Sequence, residues 1–136
     1  MGTVTGVNPD ERCPCRSGDT LGDCCGRYLA SAGGAPAPTA QALMRSRYSA
    51  FAVGDAEHLL DTWHPSTRPV GPDLDPDRRW LHLSIESCSR GGPFDIDGEV
   101  EFTAVYRDPA GRGELRERSR FVRENGRWYY VDGDLG

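Results

Sequence analysis

No lysine occurs in the chain: all sixteen basic residues are arginine, a matter of codon usage rather than of chemistry. The net charge is −5 with acids and bases interspersed, so no basic face is offered for a sequence-independent grip on duplex nucleic acid. No apolar run approaches the roughly 20 residues of a membrane span. The opening "MGTVTGVNPDERC" has neither a basic start nor an apolar core, so no secretory signal is expected and a cytoplasmic location is. Nor is there a C-x-x-C redox pair, nucleophile elbow, P-loop, carboxylate dyad or cofactor fingerprint. What remains is a 136-residue chain, long enough to bury a core without covalent staples.

Cysteine is unevenly spent. Four of the five, Cys13, Cys15, Cys24 and Cys25, fall in "CPCRSGDTLGDCC". Cytosolic thiols are kept reduced, which makes a disulfide staple the weaker reading. Thiolates are good tetrahedral zinc ligands, and two close pairs joined by the eight-residue loop "RSGDTLGD" can converge on one ion. Gly18 and Gly22 allow positive φ, and Ser17 and Asp19 can turn the chain. Four protein thiolates leave no open position, so one structural Zn²⁺ per chain is expected, with reactive or oxidised thiols as the alternative. Changing Cys24 to Ser should release the ion and leave the rest of the chain folded.

C-x-C-x8-C-C resembles the SEC-C motif, a small zinc module found at the C-terminal tail of the bacterial preprotein translocase ATPase. All four ligand positions match, as do Ser17 and Gly18. Position 16 departs, Arg standing where Gly is common, so the backbone there is the point to check.

"ASAGGAPAPTA" reads as a linker. The expected organisation is a zinc knob over residues 10–30, a linker over 31–38 and a domain over 39–136. Thr39 can cap a helix with Leu43, Met44, Tyr48, Phe51 and Ala52 on one face, ended by Gly54. Asp55 can cap a second, "AEHLLDTW", stopped by His64-Pro65. The period then changes to two. "WLHLSIESC", with Leu81, Leu83 and Ile85 alternating against Trp80 and His82, reads as a strand, as do "GEVEFTAVYRD", "GELRERSRFVRE" and "RWYYVD". Asn125-Gly126 signals a type I′ hairpin pairing Phe121 with Tyr130, Val122 with Tyr129 and Arg123 with Trp128. The fold class is therefore α+β, helices against one face of a four-stranded antiparallel sheet.

"LMRSRYSAFAVGDAEHLLDTWHPSTRP", "ERSRFVRENGRWYYVDG" and the cysteines together resemble the YchJ-like family, bacterial proteins of uncharacterised function with a SEC-C motif ahead of a nuclear-transport-factor-2-like, or cystatin-like, domain. The resemblance implies a curved, cone-like antiparallel sheet around the helices. Some family members carry a second SEC-C motif at the C-terminus; "VDGDLG" does not, so no role needing two knobs is expected.

A cone often encloses a pocket. Candidate pocket or anion-binding residues are Arg47, Tyr48, Trp63, His64, Arg118, Arg120, Trp128 and Tyr130, with Trp80 and His82 beside them. Against each stands a plainer role: core packing for the aromatics, cross-sheet pairing with Glu99 or Glu101 for the arginines. His64 is the one alternative catalytic candidate, His58 is expected to be solvated, and Cys88 to be a small buried hydrophobe. The favoured function is a non-enzymatic binding or adaptor module whose knob meets a protein or ribonucleoprotein partner in protein synthesis or export. The translocase tail, which contacts an export chaperone and the ribosome, supplies that analogy. The alternative is a small-molecule-binding or hydrolytic domain using the cone pocket. An open pocket with His64 bonded to a carboxylate would favour the alternative.

Overall fold

The structure, a computed structural model, describes residues 9–29, 35–71 and 74–135. The first half of the expected linker, residues 31–34, lies outside the described residues. Helix α1 (Ala40–Val53) starts at Thr39, whose side chain accepts from the Ala42 amide, and stops at Gly54 with φ 81°. Helix α2 (Ala56–Asp61) follows at once, with the Asp55 carboxylate accepting from the His58 amide at 3.1 Å. Both helix starts follow from side chains that satisfy otherwise orphaned helical amides.

Four strands then form a meander, β1 (Arg79–Arg90), β2 (Asp97–Asp108), β3 (Gly111–Glu124) and β4 (Arg127–Leu135), antiparallel and in sequence order. Asn125 and Gly126 both take positive φ, 54° and 78°, as a type I′ turn requires, and the expected pairs Phe121–Tyr130, Val122–Tyr129 and Arg123–Trp128 are formed.

In β1 the simple alternation fails. Irregularities between Trp80 and His82 and between Ile85 and Ser87 each leave one residue unpaired. Such bulges bend a strand and reverse which face the following residues present. Trp80 and Ile85 consequently pack on the core together with Leu83, whereas Leu81 does not.

The helices are fastened to the sheet at two points. The Ala40 amide donates to the Gly91 carbonyl at 3.0 Å, tying the start of α1 to the β1–β2 hairpin. After α2, the chain runs beside β4: the Tyr130 amide donates to Thr62 O at 2.8 Å and the His64 amide to Tyr130 O at 2.7 Å. Leu43, Met44, Tyr48 and Leu59 from the helices thereby meet Leu83, Val100, Phe102, Ala104, Phe121 and Trp128 from the sheet in one core. No helix among the described residues is long and apolar enough to cross a membrane.

Candidate metal centre and ligand cavity

The thiol cluster is built by short turns. The Cys13 amide donates to Asp19 O and the Arg16 amide to Cys13 O, both at 3.0 Å, while the Cys24 amide donates to Leu21 O at 3.1 Å. The tight return needs left-handed backbone, taken by Gly18 at φ 101° and by Arg16 at φ 63°. Arg16 thus adopts the conformation a glycine would supply more cheaply, and its Nε donates to Leu81 O of β1 at 3.2 Å.

All four sulfurs are buried and lie within 4.8 Å of one another, so the set could hold a metal ion. Cys15 and Cys24 Sγ are 3.6 Å apart, and Cys24 and Cys25 Sγ 3.9 Å. A tetrahedron with metal–sulfur bonds of about 2.3 Å has sulfur–sulfur edges of about 3.8 Å, so these spacings fit. Hydroxyls flank the sulfurs: Ser17 Oγ is 3.1 Å from Cys24 Sγ, and Ser49 Oγ is 3.5 Å from Cys13 Sγ. Crowding splits the thiols. Hydrogen bonds from Cys13 and Cys25 push Cys15 far below the ordinary thiol range, while Cys25 is pushed up by its contacts with Cys13 and Cys15 and by burial. One sulfur thus favours the thiolate that a metal would extend to all four.

The cluster is seated on the rest of the molecule. The cysteines share a buried group with Leu43, Met44 and Tyr48 of α1, and Arg45 Nη1 reaches Cys15 O at 3.4 Å.

A neighbouring face of α1 bounds a cavity of about 600 Å³ between the helices and the inner face of the sheet. Arg47, Tyr48, Trp63 and Tyr130, predicted from sequence, line it, and so does Trp80. Arg47 is only 3% exposed. Its Nη1 donates to Leu59 O at 2.9 Å and Thr62 Oγ1 at 2.7 Å, and the guanidinium lies 5.0 Å from the Trp63 ring centre and 4.5 Å from that of Tyr130. Burial lowers its pKa to about 10, so it stays charged at neutral pH. Burial also pushes Tyr130 up to about 12. Glu117 faces the same space and accepts from Ser119 Oγ and, at 3.4 Å, from Tyr130 Oη.

The remaining predicted residues lie elsewhere. Trp128 lines a smaller cavity with His58 and donates to Pro38 O at 3.3 Å. Arg118 and Arg120 do not line the large cavity: Arg118 meets Glu101 at 3.5 Å, and Arg120 pairs with Asp132 and Asp134 of β4 rather than with Glu99. His64 does bond a carboxylate, Glu124 Oε2 at 3.0 Å, with Ser66 Oγ on its other nitrogen at 2.7 Å, but it is not among the cavity residues. The carboxylate contact that the enzymatic alternative called for is thus present, while the expected place of His64 in the cavity is not taken. His82 belongs to no described cavity either.

Two expectations are overturned. His58 is buried, its Nε2 2.9 Å from Ser46 Oγ, because α2 packs that side of its first turn onto α1. Cys88 is exposed: it follows the second β1 bulge, and its Sγ donates to Gln41 Oε1 on α1 at 3.6 Å rather than entering the core. Sequence reading missed Arg78, Phe102, Glu117 and Ser119 as cavity residues. The signal available for the last two was alternation with Phe121 in β3, which puts residues 117, 119 and 121 on one face.

The model of the YchJ middle NTF2-like domain matches residues 39–133, and that of the SEC-C motif residues 11–27. A UPF0225 protein of Chromobacterium violaceum is 52% identical over 124 residues, covering 89% of this chain and 90% of that protein. Another, from Streptomyces coelicolor, is 51% identical over 127 residues, covering 93% and 98%. Among solved structures, a SEC-C motif containing protein from Rhodopseudomonas palustris superposes with a TM-score of 0.77 at 35% identity, over 91% of this chain and 98% of that one.

Proposed function

We propose that this chain, which belongs to the UPF0225 family, is a binding protein in which one structural zinc ion, held by Cys13, Cys15, Cys24 and Cys25, fixes the knob against helix α1, whose neighbouring face bounds a small-molecule site. The observation that carries this reading is the cavity's lining: Tyr48 and Trp63 both line it, and their Oη and Nε1 are buried without a hydrogen-bond partner. Buried donors are nearly always satisfied, so two orphans in one aromatic-walled space point to an occupant. The zinc is structural because four protein thiolates close its coordination. A cytoplasmic location, where thiols stay reduced, suits that chemistry.

The test has two arms. Metal analysis of the protein purified in reducing buffer should give about one zinc per chain, and none for Cys24→Ser. Screening a small-molecule library by NMR should move the indole resonances of Trp63 and Trp80, whereas hits confined to other surfaces would remove the cavity from the reading.

A second reading is favoured by a separate observation: residues 16–20 are exposed while the cysteines on either side of them are buried. A loop backed by a closed metal site offers a rigid surface, and a SEC-C module suggests a protein or ribonucleoprotein partner in synthesis or export. Paired substitution of Ser17 and Asp19 that keeps zinc but loses a co-purifying partner supports this reading. Loss only when Cys24 and Cys25 are both replaced assigns the effect to folding instead.

A further inference from the structure

We propose that the ligand of the large cavity is a planar aromatic carboxylate, an inference that rests on the small-molecule reading above. The shape comes from the walls. Tyr48, Phe51, Trp63, Trp80, Phe102 and Tyr130 all face a space of about 600 Å³, within the usual range for a small-molecule pocket. Tyr48 stands edge-on to Trp80 at 5.8 Å and Trp63 edge-on to Tyr130 at 5.2 Å, so the walls are braced against each other and present flat apolar surface.

The charge comes from which polar groups are already engaged. The lining carboxylates have protein donors: Glu117 accepts from Ser119 and Tyr130, and Asp75 accepts from the Asp77 amide at 2.9 Å. Three donors on lining residues do not. Tyr48 Oη, Trp63 Nε1 and Arg78 Nε are buried without a partner, and an indole or guanidinium N–H can only donate. Arg47 adds a buried positive charge that, among the described residues, has no carboxylate within 4.0 Å; it is held by a carbonyl, a hydroxyl and two ring faces. Arg78 has a long contact to Asp108, at 3.9 Å, and its guanidinium lies 4.0 Å from the Tyr106 ring centre. The lining charges balance, Arg47 and Arg78 against Glu117 and an exposed Asp75, but the carboxylates already hold protein donors while the buried Arg47 has Glu117 only at longer range and three donors are spare. The complement of this site is a flat body carrying acceptor oxygens with a negative charge.

The probe is 2-naphthoate, titrated into the full zinc-loaded chain and followed by the indole resonances of Trp63 and Trp80. Methyl 2-naphthoate removes the charge, and cyclohexanecarboxylate removes the aromatic plane. The expected result is saturable binding of 2-naphthoate with both controls at least about tenfold weaker. Tyr48→Phe should weaken 2-naphthoate about fivefold. It should not lower the thermal midpoint, since it deletes a hydroxyl that has no protein partner; Trp63→Phe provides a second donor deletion.

Equal affinity for the methyl ester or for cyclohexanecarboxylate would overturn the aromatic-carboxylate assignment while leaving a ligand cavity in place. Undiminished binding by both donor variants would overturn it as well. Failure of every probe to move either indole at millimolar concentration would overturn the assignment and the cavity reading together.

Discussion

Ser49 sets its hydroxyl 3.5 Å from Cys13 Sγ, both groups buried, and so joins the thiol cluster to the middle of α1. The cluster is part of the same packed interior as Leu43 and Met44. Cys24→Ser should therefore remove the zinc and also lower the thermal midpoint of the whole chain, by roughly 10 °C, with the sheet still folded at 25 °C. Metal analysis beside a calorimetric scan checks this. An unchanged midpoint in a zinc-free variant would mean that the knob does not brace the helix.

Arg16 separates two energies of opposite sign. Its left-handed backbone costs roughly 1 kcal/mol relative to glycine, and its bond to Leu81 O returns about as much. Arg16→Gly should be close to neutral. Arg16→Ala keeps the strain and loses the bond, and should cost about 1 kcal/mol more; denaturant midpoints of the two variants decide the matter, and equal stabilities would remove the strain argument.

Gly26 lies in the 3₁₀ turn Cys25–Arg27, where an added Cβ would sit 2.5 Å from the Leu21 carbonyl oxygen. That oxygen is backbone, already holding the Cys24 and Gly26 amides, so it cannot swing away. Gly26→Ala should displace Cys25 and weaken zinc retention at least tenfold in a chelator competition. Retention at the wild-type level would show that the turn can shift without moving the sulfur.

His58 gives the chain a pH signature. Burial, with Arg47 and Arg127 adding and Asp55 opposing, lowers its pKa from 6.5 to about 4. Between those values the unfolded chain binds a proton that the folded chain refuses, so stability falls as pH drops from 6.5 towards 4 and is fully present above 6.5. The loss approaches about 3 kcal/mol at the acid end. Unfolding free energies of wild type and His58→Gln should converge by that amount over this window; a constant difference would mean that His58 does not titrate there.

Local features were largely readable from sequence. Thr39, Asp55, Gly54 and Asn125-Gly126 act within a few residues of themselves, so the helix ends and the last hairpin register follow from chemistry that travels with the chain. The cysteine pairs belong with these, since their loop is short enough to close on itself. The β1 bulges were not readable, because "WLHLSIESC" alternates well enough to hide them; they follow from how β1 must bend against β2. His58 was misjudged for a related reason: a helix of six residues has no periodic stripe long enough to say which side another helix will cover. Which candidates share the cavity, Arg47 but not Arg118 or Arg120, depended on strand faces across three elements.

Tyr48 and Ser49 are neighbours in α1, about 100° apart around its axis, the first residue lining the cavity and the hydroxyl of the second touching the thiol cluster. Single substitutions in this helix leave that division intact. A one-residue insertion or deletion between the caps at Thr39 and Gly54 would turn every later side chain by the same angle, withdrawing one face from the sulfurs and the other from the aromatic walls together. Over evolutionary time α1 should therefore drift in composition but hold its length, while the loops after Pro65 and around Pro109 are freer to grow or shrink.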